Sequence, residues 1–420
     1  MSFTRSLTAP QQDFVDIMGR STLPLMAAPM FLVSGPELVI ACARAGIIGS
    51  YPAANARNVD ILREWMAHTR DAIQADRPGA PWSLNMIVHS SYDRFDAELA
   101  LVQEFQPKIV STALGSPRRV LDTVHGYGGI VMADVINPAL ARKAADAGAD
   151  VLVLVTQGAG GHTGNFHPFS LLAEVRKFWS GPLGLAGAIT TGTDIRAAQL
   201  LGADFVLAGT RFIATPESLA EPAYRDLIVN SGLEDLVATK AVSGVLANWL
   251  KPTLDKAGFT PEQLREEKKI DFSGDIVEAP KAWKTVWSAG HGVGGIEAIA
   301  STEDVVRQLY REYAACLDIV RRLAMAHPAV AFALEHDGRR TLGVQAGDAR
   351  EERVAALTDR ALADNHVIIS LAREGVRLSG VASIPTYNRG VGDHQYLFVN
   401  GRPVRDRLLI GALRGAYADM

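Results

Sequence analysis

Residues 182–212 read PLGLAGAITTGTDIRAAQLLGADFVLAGTRF. Two short apolar runs, PLGLAGAI and DFVLAGT, flank the helical stretch TDIRAAQLLGAD. Near-continuous apolar runs joined by a helix are typical of parallel strands whose sheet is covered by helices. This stretch therefore predicts a strand–helix–strand unit, and the fold depends on how often the chain repeats it.

The same alternation fills residues 24–215. The other strand-like runs are PLMAAPM (24–30), AGIIGS (45–50), WSLNMIV (82–88), KIVSTAL (108–114), GIVMADV (129–135) and VLVLVTQ (151–157). We count seven or eight units, which favours an α/β fold of the closed (β/α)8 TIM-barrel type over an open sheet. The alternative is a Rossmann topology, but no G-x-G-x-x-G follows the first strand.

The chain changes character twice after the barrel pattern. Residues 216–285 are polar and contain prolines, and we interpret them as a mostly helical excursion over the barrel mouth. A terminal helix is predicted over 302–315, with Ser301 as its N-cap. All ten lysines precede residue 316, whereas the last 104 residues hold fourteen arginines and no lysine. This shift predicts one domain over 1–316 and a second over 317–420.

The bulk composition excludes several classes of protein. A net charge of -4 gives no electrostatic reason to expect nucleic acid as a partner. Only Cys42 and Cys316 are present, and no D-x-D or H-E-x-x-H pattern occurs, so we expect no disulfide scaffold and no metal site. The N-terminus has no apolar signal-peptide core, and no apolar run is long enough to span a bilayer. We therefore expect a soluble, cytoplasmic protein with no membrane partner.

The loop QGAGGHTG, residues 157–164, follows the VLVLVTQ strand and carries the strongest catalytic candidate. Functional groups of TIM barrels lie on the loops after the strands. The glycines let the backbone approach a flat ligand, and His162 titrates near neutral pH, which suits a base that takes a proton from an acidic carbon. The alternative is a loop histidine that only caps a helix or binds a backbone carbonyl, and the two interpretations weigh about equally.

The turns LAGAITTG (185–192) and FVLAGTRF (205–212) indicate a phosphate site. Barrels commonly bind phosphate at the loops after strands seven and eight, and small residues there expose backbone N–H groups. The N-terminus of the intervening helix would add a partial positive charge. At the end of the first strand, Met30 could pack on a ring system, and Asn85 could bind a ring heteroatom. Met30 and Asn85 could equally be ordinary strand ends.

Several stretches together resemble the nitronate monooxygenases, an FMN-dependent barrel family, through most of residues 20–315. They are PLMAAPMFLVSGPELVIACARAGIIGS (24–50), QGAGGHTG, AGAITTGTDIRAAQLLGADFVLAGTRF (186–212), SGVLANWL (243–250) and VWSAGHGVGGI (286–296). The resemblance implies an oxidase that converts nitronates or nitroalkanes and O2 into a carbonyl compound and nitrite. It places the family histidine at His162, either as the base that removes the α-proton or as the group that orients an ionised nitronate.

The same resemblance implies a set of FMN-binding residues. It places the phosphate on the loops with Gly187, Gly209 and Thr210. The full set of implied cofactor residues is Ala28, Pro29, Met30, Asn85, Gln157, Gly160, Gly161, Ala186, Gly187, Gly209 and Thr210. The chain departs from the family pattern at three points: the 157–164 loop is shorter, Ala188 replaces a glycine of the phosphate turn, and His291 replaces a glutamine.

The stretches IVRRLAMAHPAVAFALEHDGRRTL (319–342) and DHQYLFVNGRPVRD (393–406) resemble MutL-type mismatch-repair proteins. The resemblance covers residues 317–420 and implies a truncated α+β transducer domain without the ATP-binding motifs. We therefore expect no ATPase activity and no ATP partner. Arg389, Arg402 and Arg405 could form a basic patch, but we interpret them as solvated or salt-bridged groups. Lacking its native partner, this fragment is expected to expose apolar surface through which the chain forms a homodimer or aggregates.

Two alternative functions stay open at this point. The first is a related FMN barrel that reduces an enoyl thioester or a quinone with NAD(P)H. The second belongs to another class and treats the chain as a mismatch-repair interaction module that carries the barrel as a passenger.

Overall fold

The computed structural model describes residues 6–266, 283–336, 339–385, 387, 395–404 and 406–418. The chain divides into two compact units, of which the first ends at Tyr313 and the second begins at Ala314. The composition shift placed this boundary near residue 316.

Eight parallel strands form a closed barrel in the first unit, which confirms the predicted TIM barrel. The barrel strands are β1 (Leu25–Ala27), β2 (Ile48–Pro52), β3 (Ser83–Ile87), β4 (Ile109–Ala113), β5 (Ile130–Val135), β6 (Val151–Val155), β8 (Leu183–Ala186) and β9 (Phe205–Ala208). A short strand outside the barrel, β7 (Gly161–His162), lies between β6 and β8 along the chain. The barrel closes where β1 pairs with both β2 and β9.

One helix precedes the barrel, seven connect its successive strands, and a short one follows the last strand. They are α1 (Ala9–Arg20), α2 (Pro36–Ala45), α3 (Val59–Asp76), α4 (Phe95–Phe105), α5 (Arg118–Gly126), α6 (Pro138–Ala147), α7 (Pro168–Arg176), α8 (Gly192–Leu201) and α9 (Thr210–Ile213). Several begin where the sequence provides a cap: the Asn137 side chain accepts a hydrogen bond from Leu140 N, and Pro138 occupies the first turn of α6. Gly148 ends α6 in the left-handed conformation.

The interior of the barrel is filled by apolar side chains from the strands, and α1 contributes to the same cluster. Phe14 of α1 packs edge-on against Phe205 of β9, with their ring centroids 4.8 Å apart. The interior is therefore a packed core, and a ligand site is expected at the loops that follow the carboxyl ends of the strands.

The excursion after the barrel contains two helices, α10 (Pro222–Val229) and α11 (Lys251–Lys256), but it is not mostly helical as predicted. It also contains two strands, β10 (Leu236–Thr239) and β11 (Ala247–Leu250). These strands form an antiparallel sheet with β7 in the order β10-β11-β7. A pairing with so distant a segment leaves no local pattern in the sequence. The part of the predicted excursion at 267–282 lies outside the described residues.

The predicted terminal helix is longer than expected, because α12 runs from Thr302 to Ala326. The described residues of the second unit form three two-stranded sheets and two further helices, which agrees with the predicted α+β fragment. Its strands and helices are β12 (Phe332–His336), β13 (Arg339–Val344), α13 (Arg350–Leu357), β14 (His366–Arg373), β15 (Val376–Ser383), β16 (Leu397–Val399), β17 (Arg402–Val404) and α14 (Arg407–Ala418).

Arg353 organises the small core of the second unit. Its buried guanidinium group donates hydrogen bonds to the carbonyl oxygens of Ala324, His327, Val330 and Gln345. Of the arginines that the sequence analysis interpreted as solvated, Arg402 is exposed, whereas Arg389 and Arg405 lie outside the described residues. No helix among the described residues is long and apolar enough to cross a membrane. The same residues contain no cluster of side chains that could hold a metal ion.

Candidate active site

A cavity of about 490 Å³ opens at the carboxyl ends of the barrel strands. This volume falls in the range of small-molecule and cofactor sites. His162 lines the cavity, and so do ten of the eleven predicted cofactor residues: Ala28, Pro29, Met30, Asn85, Gly160, Gly161, Ala186, Gly187, Gly209 and Thr210. Residues from separate strand ends, which the sequence analysis assigned one by one, therefore meet around one space.

Gln157 is the predicted residue that does not line the cavity. Its side chain is exposed, and its backbone is used elsewhere, because Gln157 N donates to the carbonyl oxygen of Phe166. The Gln157 carbonyl oxygen in turn accepts a hydrogen bond from Asn248 Nδ2 at 2.9 Å. The structure therefore does not bring Gln157 together with the other predicted cofactor residues.

His162 is positioned by strand pairing rather than by the loop alone. It lies in β7 and pairs with Ala247 of β11, while Gly161 pairs with Asn248. The imidazole is perpendicular to the Trp283 ring, with centroids 5.3 Å apart, and its Nε2 lies 3.5 Å from Ser243 Oγ. Burial disfavours the charged form and lowers the pKa of His162 to about 4. The imidazole is therefore neutral at physiological pH.

The glycines of the 157–164 loop allow close contact with a second glycine-rich loop, which contains Gly290. A Cβ atom at Gly160 would lie 2.8 Å from Gly290 N, and a Cβ atom at Gly290 would lie 2.7 Å from the carbonyl oxygen of Gly158. Thr210 extends this contact, since its Oγ1 accepts a hydrogen bond from Gly290 N at 2.8 Å. The floor of the cavity thus requires residues without side chains at these positions.

The two turns of the predicted phosphate site also lie side by side, because β8 and β9 are neighbours in the barrel. Gly187 adopts a φ of 129°, and a Cβ atom there would lie 2.4 Å from Thr156 Oγ1. Ala188, the residue that replaces a family glycine, has a φ of 57° in the left-handed region. The turn therefore keeps the glycine-like backbone although one glycine has been lost.

The N–H groups at the N-terminus of α8, where the sequence analysis expected a phosphate, already have partners within the protein. Asp194 Oδ2 accepts hydrogen bonds from the N–H groups of Thr190 and Thr191, and Glu312 Oε2 accepts one from Gly192 N. Carboxylates of the protein thus already use the partial positive charge of this helix end. The phosphate interpretation rests on the turns at Gly187 and Gly209.

Sequence analysis missed several residues of the cavity. Asp134, at the end of β5, has an Oδ1 atom that is buried without a hydrogen-bond partner among the described residues. An acidic residue at the carboxyl end of a barrel strand was the pattern that could have identified it. Trp283, with a φ of 68°, packs against His162 and Trp249, but no sequence pattern marks that role.

Comparison with known proteins agrees with this geometry. The family model for nitronate monooxygenase matches residues 65–312, which is more than half of the chain. The chain belongs to the nitronate monooxygenase family. It is therefore an enzyme, an oxidoreductase of the flavin-dependent class.

Solved structures confirm the barrel fold. FabK from Thermotoga maritima is 24% identical and has a TM-score of 0.60, over 74% of this chain and 98% of that protein. A nitroalkane oxidase from Streptomyces ansochromogenes is 23% identical with a TM-score of 0.61, over 72% of this chain and 99% of that protein.

The second unit is similar to another family. The model for the C-terminal domain of DNA mismatch repair protein matches residues 354–420. MutL of Sphingopyxis alaskensis is 68% identical over 115 residues, which are 27% of this chain and 19% of that protein. MutL of Rhizorhabdus wittichii is 62% identical over 115 residues, which are again 27% of this chain and 19% of that protein. The chain spans about a fifth of the length of these relatives, and it joins a nitronate monooxygenase barrel to a MutL-like fragment.

Proposed function

We propose that the barrel binds FMN and oxidises alkyl nitronates with O2 to a carbonyl compound and nitrite. The observation that carries this proposal is the position of His162 in a cavity whose walls include both turns of the proposed phosphate site. Membership of the nitronate monooxygenase family supports the same reaction class.

The residues around the cavity fit FMN. Gly187 cannot accept a Cβ atom, and its turn lies beside the one at Gly209, so small residues of both turns form adjoining parts of the cavity wall, where a phosphate can approach the backbone. The residues that would hold the phosphate are Ala186, Gly187, Gly209 and Thr210. Those that would contact the ring are Ala28, Pro29, Met30, Asn85, Gly160 and Gly161. When bound, FMN would supply the electron transfer from substrate to O2.

We assign His162 the role of orienting an ionised nitronate. A general base works best when its pKa lies near the working pH, and burial lowers the pKa of His162 to about 4. Such an imidazole is a poor acceptor for the proton of a neutral nitroalkane. It remains a hydrogen-bonding group of fixed direction, because the β7–β11 pairing and the Trp283 ring hold it.

Purified full-length protein tests this proposal directly. We expect a yellow protein with the spectrum of oxidised flavin, which propionate 3-nitronate bleaches without oxygen and NADH does not. A His162→Asn variant should bind FMN but lose most of the nitronate oxidation. His167→Asn is the matched control, because His167 is exposed and caps α7 from the same loop region. A colourless protein, or bleaching by NADH alone, would contradict the proposal.

A second candidate is an NAD(P)H-dependent reductase of enoyl thioesters or quinones. The aromatic side chains of Phe31, Trp283 and Trp287 line the cavity and offer more apolar surface than a small nitronate requires. Bleaching by NADH, followed by reoxidation with a quinone or an enoyl thioester, would favour this candidate over nitronate oxidation.

For the second unit we propose neither ATPase activity nor a separate repair function, since the match covers about a fifth of MutL. The competing hypothesis of a mismatch-repair interaction module predicts DNA binding that weakens with salt and is lost when residues 327–420 are deleted. We expect no DNA binding by the full chain in low salt, and a salt-sensitive complex would favour the module.

A further inference from the structure

Asp134 introduces an acidic group into the cavity that the proposed reaction does not use. It lies at the carboxyl end of β5 and pairs with Val153 of β6. Its Oδ1 atom is buried, and no described residue forms a hydrogen bond with it. Asp150, by contrast, is fully engaged, since its Oδ2 accepts hydrogen bonds from Val131 N and is 2.8 Å from His125 Nε2. Among the described residues that line the cavity, Asp134 thus has a buried carboxyl oxygen that a ligand in the cavity could partner.

The surroundings of Asp134 determine its charge. The flanking strands β4 and β6 carry no ionisable side chain, and no described lysine or arginine lines the cavity. The other titratable groups that line it are His162, which is neutral above about pH 4, and Tyr224, whose pKa burial raises to about 12. Burial also raises the pKa of Asp134 to about 7. At neutral pH a large fraction of this carboxyl group is protonated.

We propose that the protonated carboxyl group of Asp134 donates a hydrogen bond to the anion held in the cavity. The proposal rests on the proposed function, which provides two anions of this kind: an ionised nitronate and the ring of reduced FMN. Both present electron-rich acceptor atoms, and both would be repelled by an ionised carboxylate. A bound anion therefore favours the protonated form and keeps the donor in place.

This assignment predicts that anion binding depends on pH. Below about pH 7 the donor is present, and as the pH rises through 7 the carboxyl group ionises and anion affinity falls. A hydrogen bond to a charged partner typically corresponds to about tenfold to a hundredfold in affinity. His162 does not produce this change, because it stays neutral across the same interval.

Two substitutions separate the donor from the charge. Asp134→Asn keeps a donor of the same shape at every pH, whereas Asp134→Ala removes it. Nitrate serves as a planar anion that cannot be oxidised, and its affinity is measured on the FMN-loaded protein by the shift in flavin absorbance. We expect nitrate to bind the wild-type protein less tightly above pH 7 than below it. It should bind Asp134→Asn with the same affinity at pH 6 and pH 8, and it should bind Asp134→Ala weakly at both pH values.

Two further measurements identify the acceptor. Infrared spectroscopy of the loaded protein should show a protonated carboxyl band near pH 6 that Asp134→Asn lacks. If reduced FMN is the acceptor, Asp134→Ala lowers the flavin reduction potential at pH 6. If the nitronate is the acceptor, the potential is unchanged, and kcat/KM for propionate 3-nitronate falls about tenfold or more.

The proposal is overturned if the protonated band is absent at pH 6, or if Asp134→Ala matches wild type in nitrate affinity and in flavin potential. Should Asp134→Ala fail to fold, the comparison of wild type with Asp134→Asn across pH decides the same question. The nitrate, infrared and potential measurements do not require nitronate turnover, so a failure of the proposed function would show itself separately, as an absence of nitronate oxidation in wild type.

Discussion

Asn248 Nδ2 lies 2.7 Å from the carbonyl oxygen of Ala159 and donates a hydrogen bond to it. The same amide donates to the carbonyl oxygen of Gln157 at 2.9 Å, so one buried side chain of β11 holds two carbonyl groups of the loop that leads to His162. The excursion after the barrel therefore contacts the loop that leads to His162 through specific hydrogen bonds.

Asn248→Ala should lower the free energy of unfolding and the rate of nitronate oxidation together. The substitution leaves buried carbonyl groups without a donor, which costs roughly 1–3 kcal/mol. Chemical denaturation and steady-state kinetics measure the two effects. Asn230→Ala is the control, because the Asn230 amide binds the carbonyl oxygen of Asp226 at the surface, and we expect a change below about 0.5 kcal/mol. Equal behaviour of the two variants would contradict the role given to Asn248.

The depressed pKa of His162 sets the acid limit of activity. An imidazole with a pKa of about 4 stays neutral down to that pH, so His162 should cause no loss of kcat/KM between pH 8 and 5. The same shift affects stability. The contribution of the neutral imidazole is complete above the unfolded value of about 6.5 and is lost as the pH falls through about 4. Activity that halves near pH 6.5 in wild type but not in His162→Asn would refute this.

Most of the barrel could be predicted from sequence, because each parallel strand is buried on both faces and reads as a local apolar run. Val151–Val155 is the clearest example, with four of its five residues buried. The turns at the ends of β1, β8 and β9 were indicated by the same pattern, whereas the individual cofactor residues were implied by the family resemblance. The sequence was enough to locate a turn wherever that turn directly follows a strand.

The remaining parts depend on contacts between distant segments. The β7–β11 pairing joins His162 to Ala247, and no local propensity marks a two-residue strand. Gln157 stands apart from the other predicted cofactor residues, and its carbonyl oxygen accepts a hydrogen bond from Asn248, which lies 91 residues away in the sequence. The sequence analysis did not single out Asp134, since the desolvation that raises its pKa arises only when the barrel closes.

Ala188→Gly should stabilise the protein. Ala188 has a φ of 57°, a region that costs an L-residue about 1–2 kcal/mol and costs glycine nothing. The higher chain entropy of glycine in the unfolded state offsets about half of this gain. We expect a net increase of roughly 0.5–1 kcal/mol, measured by thermal unfolding. Ala197→Gly in the middle of α8 is the control and should destabilise by about 1 kcal/mol, because glycine is a poor helix former. A loss of stability in Ala188→Gly would show that its backbone conformation is not strained.

Asp134→Asn should raise the stability of the cofactor-free protein, and more so at high pH. The folded-state pKa of about 7 exceeds the unfolded value of 3.8. The contribution of the protonated carboxyl group to the free energy of unfolding is therefore fully present below about pH 3.8 and is lost as the pH rises through 7. The asparagine variant does not ionise and avoids this loss. We expect the increase in the free energy of unfolding caused by Asp134→Asn to be at least about 1 kcal/mol larger at pH 8 than at pH 5. Urea unfolding at both pH values measures it. A gain that is independent of pH would place the carboxyl group in contact with water.

The hairpin β14–β15 exposes apolar side chains that predict self-association. Leu371 and Leu378 are direct cross-strand partners and are 64% and 59% exposed, and Val367 and Val376, which alternate onto the same face of the hairpin, are exposed as well. The other face differs, since Ser379 Oγ accepts a hydrogen bond from Arg350 of α13. Contiguous exposed apolar surface of this kind usually marks a contact between chains.

Replacing the leucine pair by opposite charges should therefore reduce association without unfolding the hairpin. Leu371→Lys combined with Leu378→Glu keeps the net charge and places a complementary pair across the strands. Sedimentation velocity of the full chain should show wild type as dimers or larger species and the double variant as a monomer. Arg373→Glu with Glu374→Arg is the control, because it exchanges two exposed charges in the same hairpin and leaves the apolar face intact. If the leucine variant associates as strongly as wild type, the contact lies on another surface.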